Sequence, residues 1–257
     1  MQTKKLAIVA ALTAGTLVTG IHSAWAEWSV SAGIENFRWG ETTSPSVDES
    51  GVRHALGLNW IQDKAIGFVP AYRFKYYKGD VDYTGAFLFT GAPISGTTKY
   101  WGMAHELQLI YRTPDPTVEY VFGLGWDSWE RNLSPFQRED YDVYFLRIGA
   151  NINARTKQGV YGGGGLKYPL RTREDAHLTS IGFDQNPELR PGNDLSLYGE
   201  LAYRFNQNWD LVGYYDSFRF RQSNSPTVTG GGLTFNVFQP KSNMDVVGLK
   251  LQYTFSP

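Results

Sequence analysis

The residue types that could do hydrolytic chemistry lie closest together in the segment Glu174-Asp175-Ala176-His177, which Ser180 follows. In a hydrolase, a histidine takes the proton of a serine hydroxyl while a carboxylate orients the imidazole ring. The same residues are common in solvated polar loops, and their spacing matches no specific catalytic motif. Two interpretations stay open, a loop-based hydrolase and a charged loop without catalysis, and we favour the second.

The rest of the composition argues against several other kinds of chemistry. The chain has no cysteine, which excludes disulfides, thiolate metal sites and a lipoprotein anchor. The run Gly162 to Gly165 lacks the Gly-Lys-Ser/Thr that completes a phosphate-binding loop. With 24 basic and 25 acidic residues, the chain has no electrostatic footprint for nucleic acid. We expect no cofactor, no metal and no nucleic-acid partner.

The first residues predict export from the cytoplasm. Lys4 and Lys5 precede an apolar run over residues 6–21, and Ala24-Trp25-Ala26 offers the small residues of a cleavage site. This layout is typical of a secretory signal peptide. We therefore expect a cleaved signal over residues 1–26 and one mature domain over residues 27–257.

Alternating apolar and polar residues predict strands throughout the mature chain. Residues 247–255 show the pattern best, with Val247, Leu249, Leu251, Tyr253 and Phe255 on one face. Ten such segments are centred near residues 33, 57, 71, 106, 123, 147, 165, 200, 215 and 250. No apolar stretch after the signal reaches about 18 residues, so only a closed barrel would satisfy every backbone group in lipid.

The connections between these segments alternate in length. The long ones fall near residues 40–50, 78–98, 128–140, 172–193 and 222–243, and the short ones near 62–64, 113–116, 153–158 and 206–208. Transmembrane barrels have short periplasmic turns and long external loops. The expected fold is an all-β, antiparallel up-and-down barrel of ten strands, with eight or twelve as alternatives. Pro70 predicts a bulge in the third strand, and alternation is poor around residues 211–220.

The last strand and the topology resemble those of small bacterial outer-membrane β-barrel proteins. Gly248, Leu251, Tyr253 and Phe255 are similar to the assembly signal of such barrels. The whole mature chain resembles the class that includes OmpA-type membrane domains and Opc-like adhesins. This resemblance implies the bacterial outer membrane as location, reached through the periplasm. It also implies outer-membrane lipid, lipopolysaccharide and the barrel-assembly machinery as partners.

Two enzyme families of the outer membrane also bear on the interpretation. The strand count and long loops resemble those of the omptin proteases, which use paired aspartates and an Asp-His couple, but the chain has no Asp-His dipeptide. Barrel-type lipid A deacylases use a His-Ser pair. His105 is predicted to face lipid, yet no Ser or Glu supports it on that face. A lipid-modifying or omptin-like hydrolase is therefore the most distant alternative.

Charged residues at inward positions make the lumen the other candidate site. The expected lumen residues are Glu35, Arg73, Lys75, Glu106, Glu119, Arg147, Lys167, Glu200, Arg204 and Lys250. In a narrow barrel such charges must pair or stay hydrated. Our first interpretation is a non-enzymatic surface barrel with a plugged interior, structural or ligand-binding through its external loops. A narrow channel for ions or small solutes is the close alternative.

The terminal-strand resemblance gives a first testable prediction. Replacing Phe255 with a polar residue, as in Phe255→Ser, is expected to impair membrane assembly because it removes the near-terminal aromatic residue. Heat-modifiable gel mobility of membrane fractions measures the assembled share. Unchanged assembly of the variant would show that the terminal signal is misassigned.

Overall fold

The computed structural model describes residues 26–86 and 91–255. The predicted signal peptide lies outside the described residues, except for Ala26, which begins the first strand. Within the described ranges, no helix is long and apolar enough to cross a membrane. The part of the chain that is described contains fourteen strands and one four-residue 3₁₀ helix, Leu178–Ile181.

Ten of the strands close into an antiparallel barrel. The strands are β1 (Ala26–Glu41), β2 (Val47–Gln62), β3 (Gly67–Ala86), β4 (Pro93–Arg112), β5 (Val118–Asn132), β6 (Arg138–Ile152), β7 (Gly159–Asp175), β8 (Glu188–Leu189), β9 (Gly192–Asp194), β10 (Ser196–Arg204), β11 (Trp209–Arg221), β12 (Thr227–Gly230), β13 (Leu233–Asn236) and β14 (Ser242–Phe255). Strands β1 to β7, β10, β11 and β14 form the wall in chain order, and β14 pairs with β1 to close it. The prediction of a ten-stranded up-and-down barrel is confirmed.

The two ends of the barrel differ. Both ends of the described chain and the short connections lie at one end, which we call the turn end. The other, the loop end, is built largely from continued strands. Strands β3 and β4 each run for 20 residues, whereas a membrane-spanning strand needs only about 9–11. The predicted long loops were therefore too wide, because outward positions such as Lys78, Asp80 and Asp82 turn polar while the strand continues.

The outer face carries an apolar band towards the turn end. Large side chains at alternate positions point away from the lumen, and Leu107 and Leu201 are 62% and 67% exposed. In β1 the outward series runs from Trp28 to Ile34 and then changes to Asn36 and Arg38. The band thus ends where the strands continue beyond the thickness of a bilayer core.

The interior contains a packed layer of aromatic rings, which we call the aromatic layer. Its members are Phe37, Trp39, Tyr77, Tyr100, Trp129, Tyr141, Phe145, Phe218 and Phe220, all 3% exposed or less. Rings from opposite walls meet, since Trp129 of β5 lies 6.5 Å from Trp39 of β1 and 6.2 Å from Phe218 of β11. In this part of the barrel the inward positions are therefore aromatic and not small or charged.

Inward glycines make room for these rings. A Cβ placed on Gly102 would lie 2.6 Å from the Tyr77 ring and 2.7 Å from the carbonyl oxygen of Ser128. Gly125 lies against the ring of Phe145 in the same way, and Gly248 lies against Tyr214, which packs on the layer. Small residues opposite large ones let the layer reach the packing density of a protein core.

The local irregularities also differ from expectation. Pro70 causes no bulge, since β3 pairs with β4 without a break through Pro70 and Leu109. Pairing of β3 with β2 begins only at Ala71, so the missing N–H of the proline interrupts no ladder. The irregularity lies instead in β7, where Pro169 faces Phe145 and Arg171 faces Tyr144. Strand β11 is regular against both neighbours.

The aromatic layer predicts a position-specific cost of adding one methyl group. Gly102→Ala is expected to lower the free energy of unfolding by about 1–3 kcal/mol, because the Tyr77 ring or the β5 backbone must move. Gly96→Ala in the same strand is the control, since no atom lies within 4 Å of its Cβ position. Urea unfolding in detergent micelles, followed by tryptophan fluorescence, measures both. Equal stability of the two variants would contradict the packing argument.

Candidate functional site

All ten charged residues expected in the lumen occupy inward positions of the barrel wall. Three pairs among them meet directly, namely Lys75 with Glu35, Arg73 with Glu200, and Arg147 with Glu106, at 2.8, 3.2 and 3.2 Å. Most of the others pair with residues that the sequence did not single out. The lumen charges therefore form networks of ion pairs rather than a one-sign lining.

Glu35 is the most enclosed of these carboxylates. It is fully buried, and its Oε2 accepts a hydrogen bond of 2.7 Å from Arg53. Its Oε1 accepts from Lys75 Nζ at 2.8 Å and from the Tyr214 hydroxyl at 2.7 Å. The donors come from β2, β3 and β11, so one carboxylate ties together walls that do not neighbour each other. A buried charge with both oxygens occupied avoids most of the cost of desolvation.

A second network surrounds Asp216. Lys167 Nζ donates to Asp216 Oδ1 at 2.6 Å, and Arg147 approaches the same oxygen at 3.5 Å. Arg147 also contacts Glu106, which links strands β4, β6, β7 and β11. The rings of the aromatic layer lie directly beyond this network, towards the loop end.

Cations face the aromatic layer from both sides. Lys167 Nζ lies 3.5 Å from the centroid of the Phe218 ring, and the Arg53 guanidinium lies 4.2 Å from that of Phe37. From the loop end, Arg131 lies 5.4 Å from the Trp39 ring. A desolvated cation–π contact is worth about 2 kcal/mol. The layer is therefore held by charge as well as by ring packing.

The lumen is open towards the turn end. A cavity of about 560 Å³ is lined by Arg73, Arg112, Arg155, Glu119 and Glu200, among others, and a smaller one of about 100 Å³ lies deeper. Arg112 and Arg155 approach Glu119 at 2.9 and 3.4 Å, while Arg204 contacts Asp210 through two nitrogens. Lys250 lines both cavities, and no carboxylate of the described residues lies within 4 Å of its ammonium.

Beyond the aromatic layer lies a cluster of four glutamates around one arginine, which we call the acidic cluster. It consists of Glu41, Glu49, Glu139, Glu174 and Arg131. Arg131 donates to Glu41 at 3.0 Å, to Glu49 at 3.1 Å and to Glu139 at 2.7 Å. Tyr100 and Thr98 also donate to Glu49. Four carboxylates against one guanidinium leave an excess of negative charge in a buried space.

Burial and mutual repulsion favour the neutral form of two carboxyl groups in this cluster. The cluster lies outside the membrane-spanning segments, because outward positions at this height, such as Asp140 and Arg173, are charged. Burial raises the pKa of Glu174 well above its ordinary value of 4.5, and the nearby Glu139 raises it further. Burial also raises the pKa of Glu139, although Arg131 opposes the shift. Glu174 Oε2 is buried without a hydrogen-bond partner, which fits a carboxyl group in its neutral form.

The predicted hydrolytic cluster divides between two faces of the wall. Glu174 points inwards, whereas His177 Nε2 lies 2.8 Å from Asp140 Oδ2 on the outside and 3.9 Å from Asp175. Arg138 Nη2 contacts the same Asp140 oxygen at 2.9 Å. The Ser180 hydroxyl lies within hydrogen-bonding distance of the carbonyl oxygens of Phe136 and His177, away from the imidazole ring. The structure thus assembles a His-Asp pair but no Ser-His pair here.

His105 faces outwards, as the alternation predicts. Its ring stacks on Trp126 at 5.4 Å, and its Nδ1 lies 2.7 Å from the Tyr72 hydroxyl. Trp126 in turn donates to Asp142 at 2.8 Å. These contacts join Tyr72, His105 and Trp126 into an outward aromatic row.

The residues of the predicted assembly signal all lie in β14. Leu251, Tyr253 and Phe255 point outwards, and the Tyr253 ring lies 5.0 Å from Phe255 and 4.9 Å from Trp209. Gly248 points inwards beneath the Tyr214 ring. Trp28 is the β1 partner of Phe255, so the terminal aromatic residue stands at the seam that closes the barrel.

The loop end carries an apolar platform formed by three connections. Leu178, Phe183, Leu189 and Val228 are buried together between the β7–β10 connection and the β12–β13 hairpin. Phe136 of the β5–β6 connection, Leu233 and Phe238 stay exposed, at 71%, 64% and 45%. Hydrogen bonds from Asp184 N to Thr229 O and from Ser180 Oγ to Phe136 O fasten the three connections together.

Comparisons with known proteins show the fold and no family. No protein-family model matches the chain, and no curated protein matches it. Among solved structures, the chain is similar to the outer membrane protease OmpT from Escherichia coli, with 10% identity and a TM-score of 0.50 over 92% of this chain and 100% of that one. It is also similar to Neisserial surface protein A, with 11% identity and a TM-score of 0.41 over 89% and 97%. The P. putida toluene transporter TodX gives 8% identity and a TM-score of 0.37 over 92% and 91%.

At these identities the likeness concerns architecture alone. The expected resemblance to small outer-membrane β-barrels is confirmed at that level, and the protease and transporter activities in those names belong to those proteins. The described chain shares their closed antiparallel barrel.

Several residues of the lumen networks were missed in the sequence. Arg53 lies two positions before Ala55 on the same face, and Asp216 lies two positions after Tyr214. Continuing the alternation one step further along each strand would have found both. Arg131 and Glu49 both lay within predicted loops, so no sequence pattern brought them together.

The acidic cluster predicts a pH dependence of stability. A folded-state pKa above the unfolded value means that the folded protein binds the proton more tightly than the unfolded chain. The stability that Glu174 contributes is therefore complete below about pH 4.5 and is lost as pH rises. Glu174→Gln cannot ionise. It is expected to be more stable than the parent protein at about pH 8, by on the order of 1–3 kcal/mol, and to show a smaller pH slope.

Urea unfolding between about pH 5 and about pH 8 measures that slope. Asp63→Asn, a change in an exposed turn at the other end of the barrel, is the control and should leave the slope unchanged. Identical slopes for Glu174→Gln and the parent protein would show that Glu174 is already ionised in the fold.

Proposed function

We propose that the protein is an integral outer-membrane barrel that does not conduct, with a structural or ligand-binding role carried by its loop end. In this proposal the turn end faces the periplasm and the loop end faces the outside. The apolar outer band, the barrel architecture and the similarity to the outer membrane protease OmpT support this location.

The observation that carries the proposal is the aromatic layer. Its rings come from opposite walls, contact one another and are almost fully buried. A channel for ions would need a continuous hydrated path, and a gate of packed rings expels water. The packed rings therefore close the inner end of the charged cavity. This favours a plugged scaffold over the narrow channel.

The platform at the loop end supports the ligand-binding role. Exposed aromatic and aliphatic side chains on a well-packed base are typical of binding surfaces. Phe136, Leu233 and Phe238 project from connections that are fixed by an apolar core and by backbone hydrogen bonds. A fixed platform loses little conformational entropy on binding.

Catalysis has no part in the proposal. Among the described residues no serine hydroxyl contacts the His177 ring, and the imidazole shares the Asp140 carboxylate with Arg138. We further propose that outer-membrane lipid surrounds the band. The β14 strand, with Phe255 at the barrel seam, is proposed to engage the assembly machinery.

Conductance of the refolded full-length protein in a planar bilayer tests the closed lumen. The parent protein is expected to be silent, with its insertion verified by heat-modifiable gel mobility. Trp39→Ala combined with Phe218→Ala removes rings from two walls and is expected to produce conductance steps. Phe122→Ala combined with Trp126→Ala removes outward rings and should stay silent. Reproducible steps through the parent protein would replace the plugged scaffold with the channel alternative.

A further inference from the structure

The larger cavity at the turn end is bounded inside the barrel by an ion pair that crosses the lumen. Arg73 of β3 and Glu200 of β10 lie 3.2 Å apart, and both line this cavity of about 560 Å³ and the smaller one beyond it. Strands β3 and β10 are opposite each other in the order of the wall. Their ion pair therefore stands where the two cavities meet.

One side of the larger cavity is aliphatic, and we call it the apolar wall. Ile61 pairs with Ala71 between β2 and β3, and Ile110 pairs with Val121 between β4 and β5. All four side chains line the cavity. Polar side chains border the apolar wall towards the loop end and towards the turn end, namely Asn59, Arg73 and Gln108 and then Arg112 and Glu119. A ligand in the cavity would meet an aliphatic surface on this side.

The opposite side of the cavity presents polar groups. Strands β7, β10 and β14 line it with Tyr161, Tyr198, Arg204, Lys250 and Gln252, and β11 adds Val212. Strand β14 is opposite β5 in the order of the wall, so Lys250 and Val121 belong to opposite sides of the lumen. The cavity is therefore amphipathic across its width.

Most charges on this cavity already have partners or are hydrated. Its four arginines each lie within 3.4 Å of a carboxylate, namely Arg73 with Glu200, Arg112 and Arg155 with Glu119, and Arg204 with Asp210. Three further charged residues are exposed at the rim, namely Glu27, Asp63 and Lys157. None of the arginines is thus available to a ligand without breaking an ion pair.

Lys250 differs from these arginines. Its half-buried ammonium has no carboxylate of the described residues within 4 Å and donates no hydrogen bond to them. It lies 5.5 Å from the centroid of the Tyr214 ring. An ammonium without an acceptor adds no ion pair to the fold and keeps its three N–H donors for a ligand.

These features define the chemistry of a fitting ligand. One unpaired ammonium matches one negative charge, and a carboxylate accepts a strong, charge-assisted hydrogen bond from it. The apolar wall matches a hydrocarbon body on the other side of the same molecule. The volume of about 560 Å³ is of the size that small-molecule sites have.

We propose that the larger cavity at the turn end binds a small organic monocarboxylate with an apolar body. The carboxylate accepts hydrogen bonds from Lys250, and the body packs on the apolar wall. This inference rests on the proposed closed lumen, which makes the cavity a blind pocket that the ligand enters and leaves from the turn end.

Isothermal titration of cinnamate into the refolded full-length barrel tests the proposal, in a zwitterionic detergent and with empty micelles as the blank. The parent protein is expected to bind cinnamate at least about tenfold more tightly than cinnamide, which has the same body without the charge. Acetate, which has the charge without the body, should also bind at least about tenfold more weakly.

Substitutions assign the two halves of the site. Lys250→Gln should weaken cinnamate binding at least about tenfold, whereas Lys250→Arg should keep most of it. Lys157→Gln is the matched control, because it removes a cation from the exposed rim of the same cavity and should change nothing. Val121→Thr, which changes the apolar wall at nearly constant volume, should weaken cinnamate binding and leave acetate unaffected.

Four results would overturn the proposal. The first two are no heat beyond that of empty micelles and equal cinnamate binding by Lys250→Gln and the parent protein. Equal affinity for cinnamide would mean apolar partitioning only, and equal affinity for acetate would mean an adventitious ion only. Binding is read on folded barrel without reference to conductance. Conductance steps through the parent protein would therefore contradict the closed lumen while the titration still decides the site.

Discussion

The contact between buried cations and the aromatic layer is the constraint on which the rest of the interior depends. Lys167 and Arg53 lie against the rings from the turn end, and Arg131 lies against them from the loop end. Each cation is also held by carboxylates, so ring and ion pair fix the same side chain. Removing the carboxylate partner would leave a charge buried without compensation, which is far more costly than losing one contact.

This arrangement explains why the strands continue beyond a bilayer. A barrel of ten strands has little room for water once its side chains are in place. The rings fill the lumen, and strands β3 and β4 extend beyond it. Together they form a packed base beneath the platform at the loop end. The acidic cluster lies inside these extended strands, where burial and a repulsion that Arg131 alone does not cancel raise the pKa of Glu174 and Glu139.

The sequence predicted the wall well because alternation with period two is a local signal. Residues 247–255 and 118–126 show it directly, and the long and short connections indicate the topology. The aromatic layer was missed because Trp39, Tyr77 and Trp129 resemble the aromatic residues that face lipid or lie at the membrane surface. Only the strand register assigns them to the inner face. The pairing of Glu35 with Tyr214 joins residues 179 positions apart, which no local pattern reveals.

The charges inside and outside the barrel obey different physical rules. Inside, Lys167 and Arg53 have carboxylate partners, since a buried unpaired ion would destabilise the fold. Outside, Arg190 and Arg221 are hydrated, and their ion pairs contribute little to stability. The buried ion pairs are therefore the ones whose loss would destabilise the barrel, whereas the exposed pairs could be lost at little cost.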